Sequence, residues 1–228
     1  MSNFIIRLQK LIAEKSLLAH PFYQHWAEGS LPLEVMQKYA EQYYHLEKNF
    51  PRFLSRLHTN CDDPITRQAI TDNLYDEEHG ENNHRELWLC FAEGIGASRA
   101  SVLTTAALPE TVAALATFTK LAEESTISGA AALAAYESQI PAVAKSKLMG
   151  LEKYYQITDP RTTAFFRVHS TLDIQHSNEW WGIIETKARD TRTQAMAERA
   201  ACAGRDALWN FLTGICRAYF PKALATCS

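Results

Sequence analysis

Prolines in this chain stand beside helix-capping residues, and little else punctuates it. Asp63-Pro64, Asp159-Pro160, Pro109-Glu110 and the set Ser30, Pro32, Glu34 each pair a proline with a capping or acidic residue. Proline fits a first helical turn because the N–H groups there have no intrahelical acceptor, and Ser or Asp side chains accept from the ones left over. Between these starts lie long stretches rich in Ala, Leu and Glu, with few β-branched runs and only 9 glycines in 228 residues. Such stretches favour helix. Helices that each need an apolar partner leave one architecture open: an all-α, single-domain bundle over 1–228, its core about 3–221, with about seven helices. The expected segments are 3–18, a short one over 21–28, and a long one from Ser30 bearing Tyr39, Tyr43, Tyr44 and Phe50 at helical spacing. A further segment runs from 62 to about 94 with a break at Gly80, and others cover 109–125, 128–156 with a kink at Pro141, 159–185, and 191–220.

Charge and cysteine usage narrow the function. The net charge is −3 with no basic stripe, which argues against nucleic acid as a partner. No apolar run approaches the roughly 18 residues of a membrane span. The first ten residues read as an amphipathic helix rather than a signal peptide. Five cysteines, Cys61, Cys90, Cys202, Cys216 and Cys227, form no CxxC pair, so a disulfide framework is not expected and a cytoplasmic setting fits.

Three constellations carry chemistry. His169, Asp173 and His176 are spaced i, i+4, i+7, so on one helix their side chains fall within roughly 60° of arc. Two imidazoles and a carboxylate on one arc are a transition-metal half-site. In Asp-Asn-Leu-Tyr-Asp-Glu-Glu-His-Gly-Glu-Asn-Asn-His, Glu77 and His84 stand two turns apart, while Glu81 and His84 form the Glu-x-x-His pair used in di-iron bundles. Spacing does not choose between Glu77 and Glu81. Glu137 ends an Ala-rich, nearly charge-free stretch that reads as a buried helix, where a carboxylate needs a partner. Pro141 cannot donate to the Glu137 carbonyl, so the chain should kink there and aim the side chain. Six such donors are too many for one open catalytic site and suit two metals.

The strings His-Pro-Phe-Tyr (20–23), Asn-Leu-Tyr-Asp-Glu-Glu-His-Gly (73–80) with His84, Tyr-Glu-Ser-Gln-Ile-Pro (136–141) and the His169/Asp173/His176 triple make the chain resemble a known family. It is similar to the Chlamydia protein associating with death domains and its bacterial relatives, which are heme-oxygenase-like di-metal oxidases in the fold group of TenA thiaminases and pyrroloquinoline-quinone synthase C. The resemblance runs over about residues 10–220. It implies metal ligands Glu77, His84, Glu137, His169, Asp173 and His176, and so prefers Glu77 to Glu81. It implies two transition metals (Fe/Fe or Fe/Mn), dioxygen and an external reductant. It also implies production of 4-aminobenzoate, a folate precursor, with Tyr23 consumed as the ring source and Lys147 as amino donor.

Other readings use the same residues differently. A multiple-turnover di-metal oxygenase would act on a diffusible small molecule with the same ligands. A helical protein-interaction module would not need them. A thiaminase would need a reactive cysteine, and Cys61 and Cys90 have no evident base partner. Tyr39 and Tyr43 serve either as radical relays or as core. Related helical oxidases suggest a homodimer, though no surface stripe specifies one.

Overall fold

A computed structural model describes residues 1–227. Thirteen α-helices make up the described chain: α1 (Asn3–Ala13), α2 (Pro21–Ala27), α3 (Leu33–Glu47), α4 (Phe50–Thr59), α5 (Pro64–Glu78), α6 (His84–Gly94), α7 (Arg99–Thr104), α8 (Pro109–Glu124), α9 (Thr126–Glu137), α10 (Ile140–Tyr155), α11 (Pro160–His169), α12 (Leu172–Lys187) and α13 (Thr191–Tyr219). The all-α class is as expected, and the count exceeds seven because the long segments are broken. Lys48 and Asn49 part α3 from α4, and Pro51 stands in the first turn of α4. Gly80, at φ +79°, lies in the turn between α5 and α6. Ser138 and Gln139 part α9 from α10, a full break where a kink was expected. Ser170 and Thr171 part α11 from α12.

The caps follow the sequence in most places. Asp63 accepts from the Thr66 amide, and Asp159 from that of Thr162. The third start differs: Pro32, not Ser30, is the N-cap of α3, and Ser30 instead meets the His25 ring at 2.6 Å.

The Ala-rich α9 is the central rod. Ala130 through Ala135 are buried, and the helix packs chiefly against α13, α12 and α8. Small side chains permit that approach. At Gly204 of α13 a Cβ would stand 3.1 Å from the Ala132 carbonyl oxygen and 3.2 Å from its Cα, so any larger residue would press the two helices apart by a few tenths of an ångström. A helix with no bulk of its own leaves room at its C-terminus for larger groups from its neighbours, and Glu137 sits there.

Candidate metal centre

Glu137 is one of seven buried ligand-type side chains gathered at helix ends. Glu47, His84 and His169 each offer a donor atom within 4.8 Å of the others. Glu137, Asp173 and His176 form a second such group under the same limit. Glu77, in the last turn of α5, falls in neither group but adjoins them. Its Oε1 lies 3.0 Å from His84 Nδ1. It lines one small internal cavity together with Glu47, Glu137, His169 and Asp173. Glu78, His79 and Glu81 are exposed, whereas Glu77 is buried.

Two spacing arguments arrive at neighbours by the wrong route. His169 ends α11 and Asp173 lies near the start of α12, so the triple does not share a helix. The break at Ser170–Thr171 sends His169 into the group with Glu47 and His84, and leaves Asp173 and His176 in the other. Likewise α5 ends at Glu78, and His84 begins α6. Glu77 and His84 meet through a turn rather than along one face. Glu47 escaped sequence reading altogether. Its signal is position: it follows Tyr39 and Tyr43 at four-residue intervals, a carboxylate on the buried stripe of α3.

Hydrogen bonds orient the donors. His169 Nδ1 donates to the Phe165 carbonyl at 2.7 Å, which frees Nε2. His176 Nε2 donates to Asp76 at 3.1 Å, which turns Nδ1 toward Glu137. Glu137 accepts from Asn73 Nδ2 at 2.9 Å and from Trp180 Nε1. Burial raises the Glu47 and Asp173 carboxyls well above the usual range, and neighbouring carboxylates add to it, Glu77 beside Glu47 and Glu137 with Glu77 beside Asp173. Burial and the nearby His84 hold His169 well below its ordinary value. Burial pulls His176 down, yet the Glu137, Asp76 and Glu77 carboxylates outweigh it and raise the group to about 9.

This donor set fits metal ions. Glu47 Oε1 is buried without a hydrogen-bond partner, and the buried His84 Nδ1 and His176 Nδ1 face carboxylate oxygens, Glu77 at 3.0 Å and Glu137 at 3.4 Å. Buried polar atoms normally find a complementary partner, and Glu47 Oε1, with no proton donor, has a lone pair open to a cation. Four buried carboxylates at close quarters also need positive charge to stay ionised. No cysteine lines the cavity, so imidazole and carboxylate are the available donors, the chemistry of iron or manganese rather than of a thiolate zinc site.

A second cluster adjoins the first. Lys147 is buried, only 5% exposed. Its Nζ donates to Tyr39 Oη at 2.6 Å, and Tyr39 Oη lies 3.2 Å from Tyr23 Oη. The same Nζ stands 4.8 Å from the Tyr23 ring centroid. Burial drives the Lys147 amine well below its ordinary pKa, opposed by the charge of Glu47. Tyr23, also buried, is held above the ordinary phenol range. Tyr43 accepts from Tyr136 at 2.8 Å, and both line the cavity of the carboxylates. Cys61 and Cys90 are buried thiols away from that cavity, and burial raises Cys90. The Cys227 side chain lies outside the described residues.

The profile of a family described as iron-containing redox enzymes matches residues 37–209, a stretch that includes all seven donors. A 4-aminobenzoate synthase from Nitrosomonas europaea is 43% identical over 227 residues, covering 94% of this chain and 91% of its own. A 4-aminobenzoate synthase from Chlamydia muridarum is 40% identical over 189 residues, covering 82% and 80%. Among solved structures, a TenA homologue from Pseudomonas syringae pv. tomato superposes with a TM-score of 0.81 at 17% identity, covering 94% of this chain and 91% of that one. That likeness shows the shared fold. No helix among the described residues is long and apolar enough to cross a membrane.

Proposed function

The chain belongs to the family of iron-containing redox enzymes, and from that premise we propose that it makes 4-aminobenzoate at a di-metal centre, using its own Tyr23 as the ring. The ligands in this reading are Glu47, His84 and His169 on one side, Glu137, Asp173 and His176 on the other, with Glu77 between them. When bound, iron, or iron with manganese, supplies the activation of dioxygen, with electrons from an external reductant. The remaining roles belong to the protein. Tyr43 and Tyr136 link the cavity wall to the tyrosine cluster, their hydroxyls 2.8 Å apart. Tyr39 holds both Lys147 and Tyr23 through its one hydroxyl.

Forming 4-aminobenzoate from Tyr23 breaks its Cα–Cβ bond, oxidises Cβ to the carboxyl carbon, bonds the ring to Lys147 Nζ as the phenolic oxygen leaves as water, and oxidatively breaks the Lys147 Nζ–Cε bond, leaving an aldehyde at Cε. Dioxygen takes the electrons released. A nitrogen nucleophile must be unprotonated, and the observation that carries the proposal is Lys147: an amine sealed among aromatic rings, 4.8 Å from the Tyr23 centroid, where burial favours the neutral form. A solvated lysine would be protonated near pH 7 and could not attack. Such a reaction consumes the chain, so each molecule turns over once.

Intact-mass spectrometry tests this after aerobic incubation with iron, manganese and a reductant. The expected result is loss of the Tyr23 side chain together with released 4-aminobenzoate. An unchanged chain mass with product still accumulating would instead establish a multiple-turnover oxygenase acting on a diffusible substrate.

A further inference from the structure

Three residues of α5 each reach a different helix of the centre. Asn73, Asp76 and Glu77 are spaced i, i+3, i+4 and so share one face. Glu77 meets His84 of α6. Asn73 donates to Glu137 Oε1 of α9 at 2.9 Å, and Asp76 accepts from His176 Nε2 of α12 at 3.1 Å. We infer that Asn73 and Asp76 are positioning residues for the Glu137/Asp173/His176 half of the centre, and that this half alone depends on them. The inference rests on the di-metal reading above.

Neither residue has another evident task. Asn73 is 1% exposed and its Oδ1 has no hydrogen-bond partner, so its amide is buried at a cost that only the bond to Glu137 offsets. The Asp76 side chain is 37% exposed, too open to matter for packing, yet it accepts from His176 Nε2 and so turns Nδ1 toward Glu137 and Asp173. A carboxylate on the far nitrogen of a histidine ligand fixes its tautomer and ring orientation. The other half is held differently. His169 is fixed by a backbone carbonyl of its own helix, and Glu47 Oε1 has no partner. Side-chain substitutions on α5 at 73 and 76 therefore leave that half intact.

Anaerobic Mn(II) titration of the full chain, followed by metal analysis and electron paramagnetic resonance, tests the asymmetry. The unaltered protein should bind two Mn(II) and give an exchange-coupled signal. Asp76→Ala and Asn73→Leu should each weaken one Mn(II) by roughly 10–100-fold, so that one equivalent gives an isolated-ion signal while the other site keeps its affinity. Asp76→Asn, which still accepts from Nε2, should recover much of the loss. Equal weakening of both sites, or two Mn(II) bound as tightly as before, overturns the inference. Circular dichroism melts of the metal-free variants guard against misfolding, and Asp76→Ala, at a half-exposed position, decides the matter if Asn73→Leu does not fold. Failure of the unaltered chain to take up two Mn(II) overturns the di-metal reading, and with it the inference; that outcome is read without any variant.

Discussion

At the scale of single residues, burial sets the chemistry. Lys147 is a base whose folded pKa lies below its unfolded one. Folding must therefore strip its proton or bury its charge. That penalty is complete below the folded pKa, shrinks as pH rises through the window up to the ordinary lysine value, and vanishes above it. Lys147→Met should accordingly stabilise the metal-free protein at pH 7 by about 1 kcal/mol or more, with a rise of roughly 2–4 °C in Tm for each kcal/mol. The gain should fade by pH 10, and the variant should release no 4-aminobenzoate. Thermal melts of both proteins at the two pH values check it, and a gain that grows with pH would refute the assignment of a depressed amine. The same scale limits what sequence can reveal. Glu137 was legible because it ends a charge-free run. Glu47 was not, because Glu41 lies on the same helix and is equally buried while pairing with Lys38, so an acidic residue on α3 carries no mark of a ligand until its neighbours are known.

At the scale of elements, the helix breaks build the centre. Glu47, Glu137 and His169 are the last residues of α3, α9 and α11, while His84 is the first of α6. Sequence reading located all of these but Glu47, yet its spacing ran Glu77 to His84 and His169 to Asp173 along unbroken faces, since periodicity measures which face a residue occupies and not where a helix stops. His169 and Asp173 were thus paired on one arc when a two-residue break assigns them to opposite groups. Only Gly80 among the break residues announced itself. Its φ is +79°, and nothing lies within 4 Å of where a Cβ would be, so its requirement is purely of the backbone. Gly80→Ala should cost about 1 kcal/mol through the left-handed conformation alone. Gly80→Asn should cost less, because asparagine tolerates that region. Chemical denaturation of the metal-free proteins measures the difference. Equal stability for all three would mean that the turn relaxes and does not constrain the Glu77–His84 approach.

At the scale of the whole molecule, the centre is where six of the thirteen described α-helices meet. Its seven donors come from α3, α5, α6, α9, α11 and α12, six helices spread from residue 33 to residue 187. Without cations, that meeting point places Glu47, Glu77, Glu137 and Asp173 together, and burial with mutual repulsion drives Glu47 and Asp173 toward the protonated form. Bound dications would reverse the balance, replacing repulsion by ligation that ties the six helices to common points. Metal and fold are then linked, since an ion that binds only the folded chain stabilises it by about 2.7 kcal/mol at a hundredfold excess over Kd, or roughly 5–11 °C per site for a chain of this size. Anaerobic addition of Fe(II) or Mn(II) should raise Tm by at least that much, and chelation should return it to the metal-free value. His84→Ala should keep the rise due to the Glu137 group and lose most of the remainder, because His84 and His169 are the only imidazoles of their group. A melting temperature indifferent to metal, with the ions demonstrably bound, would mean that the carboxylates are accommodated without them and that the helices owe their arrangement to the Ala-rich core alone.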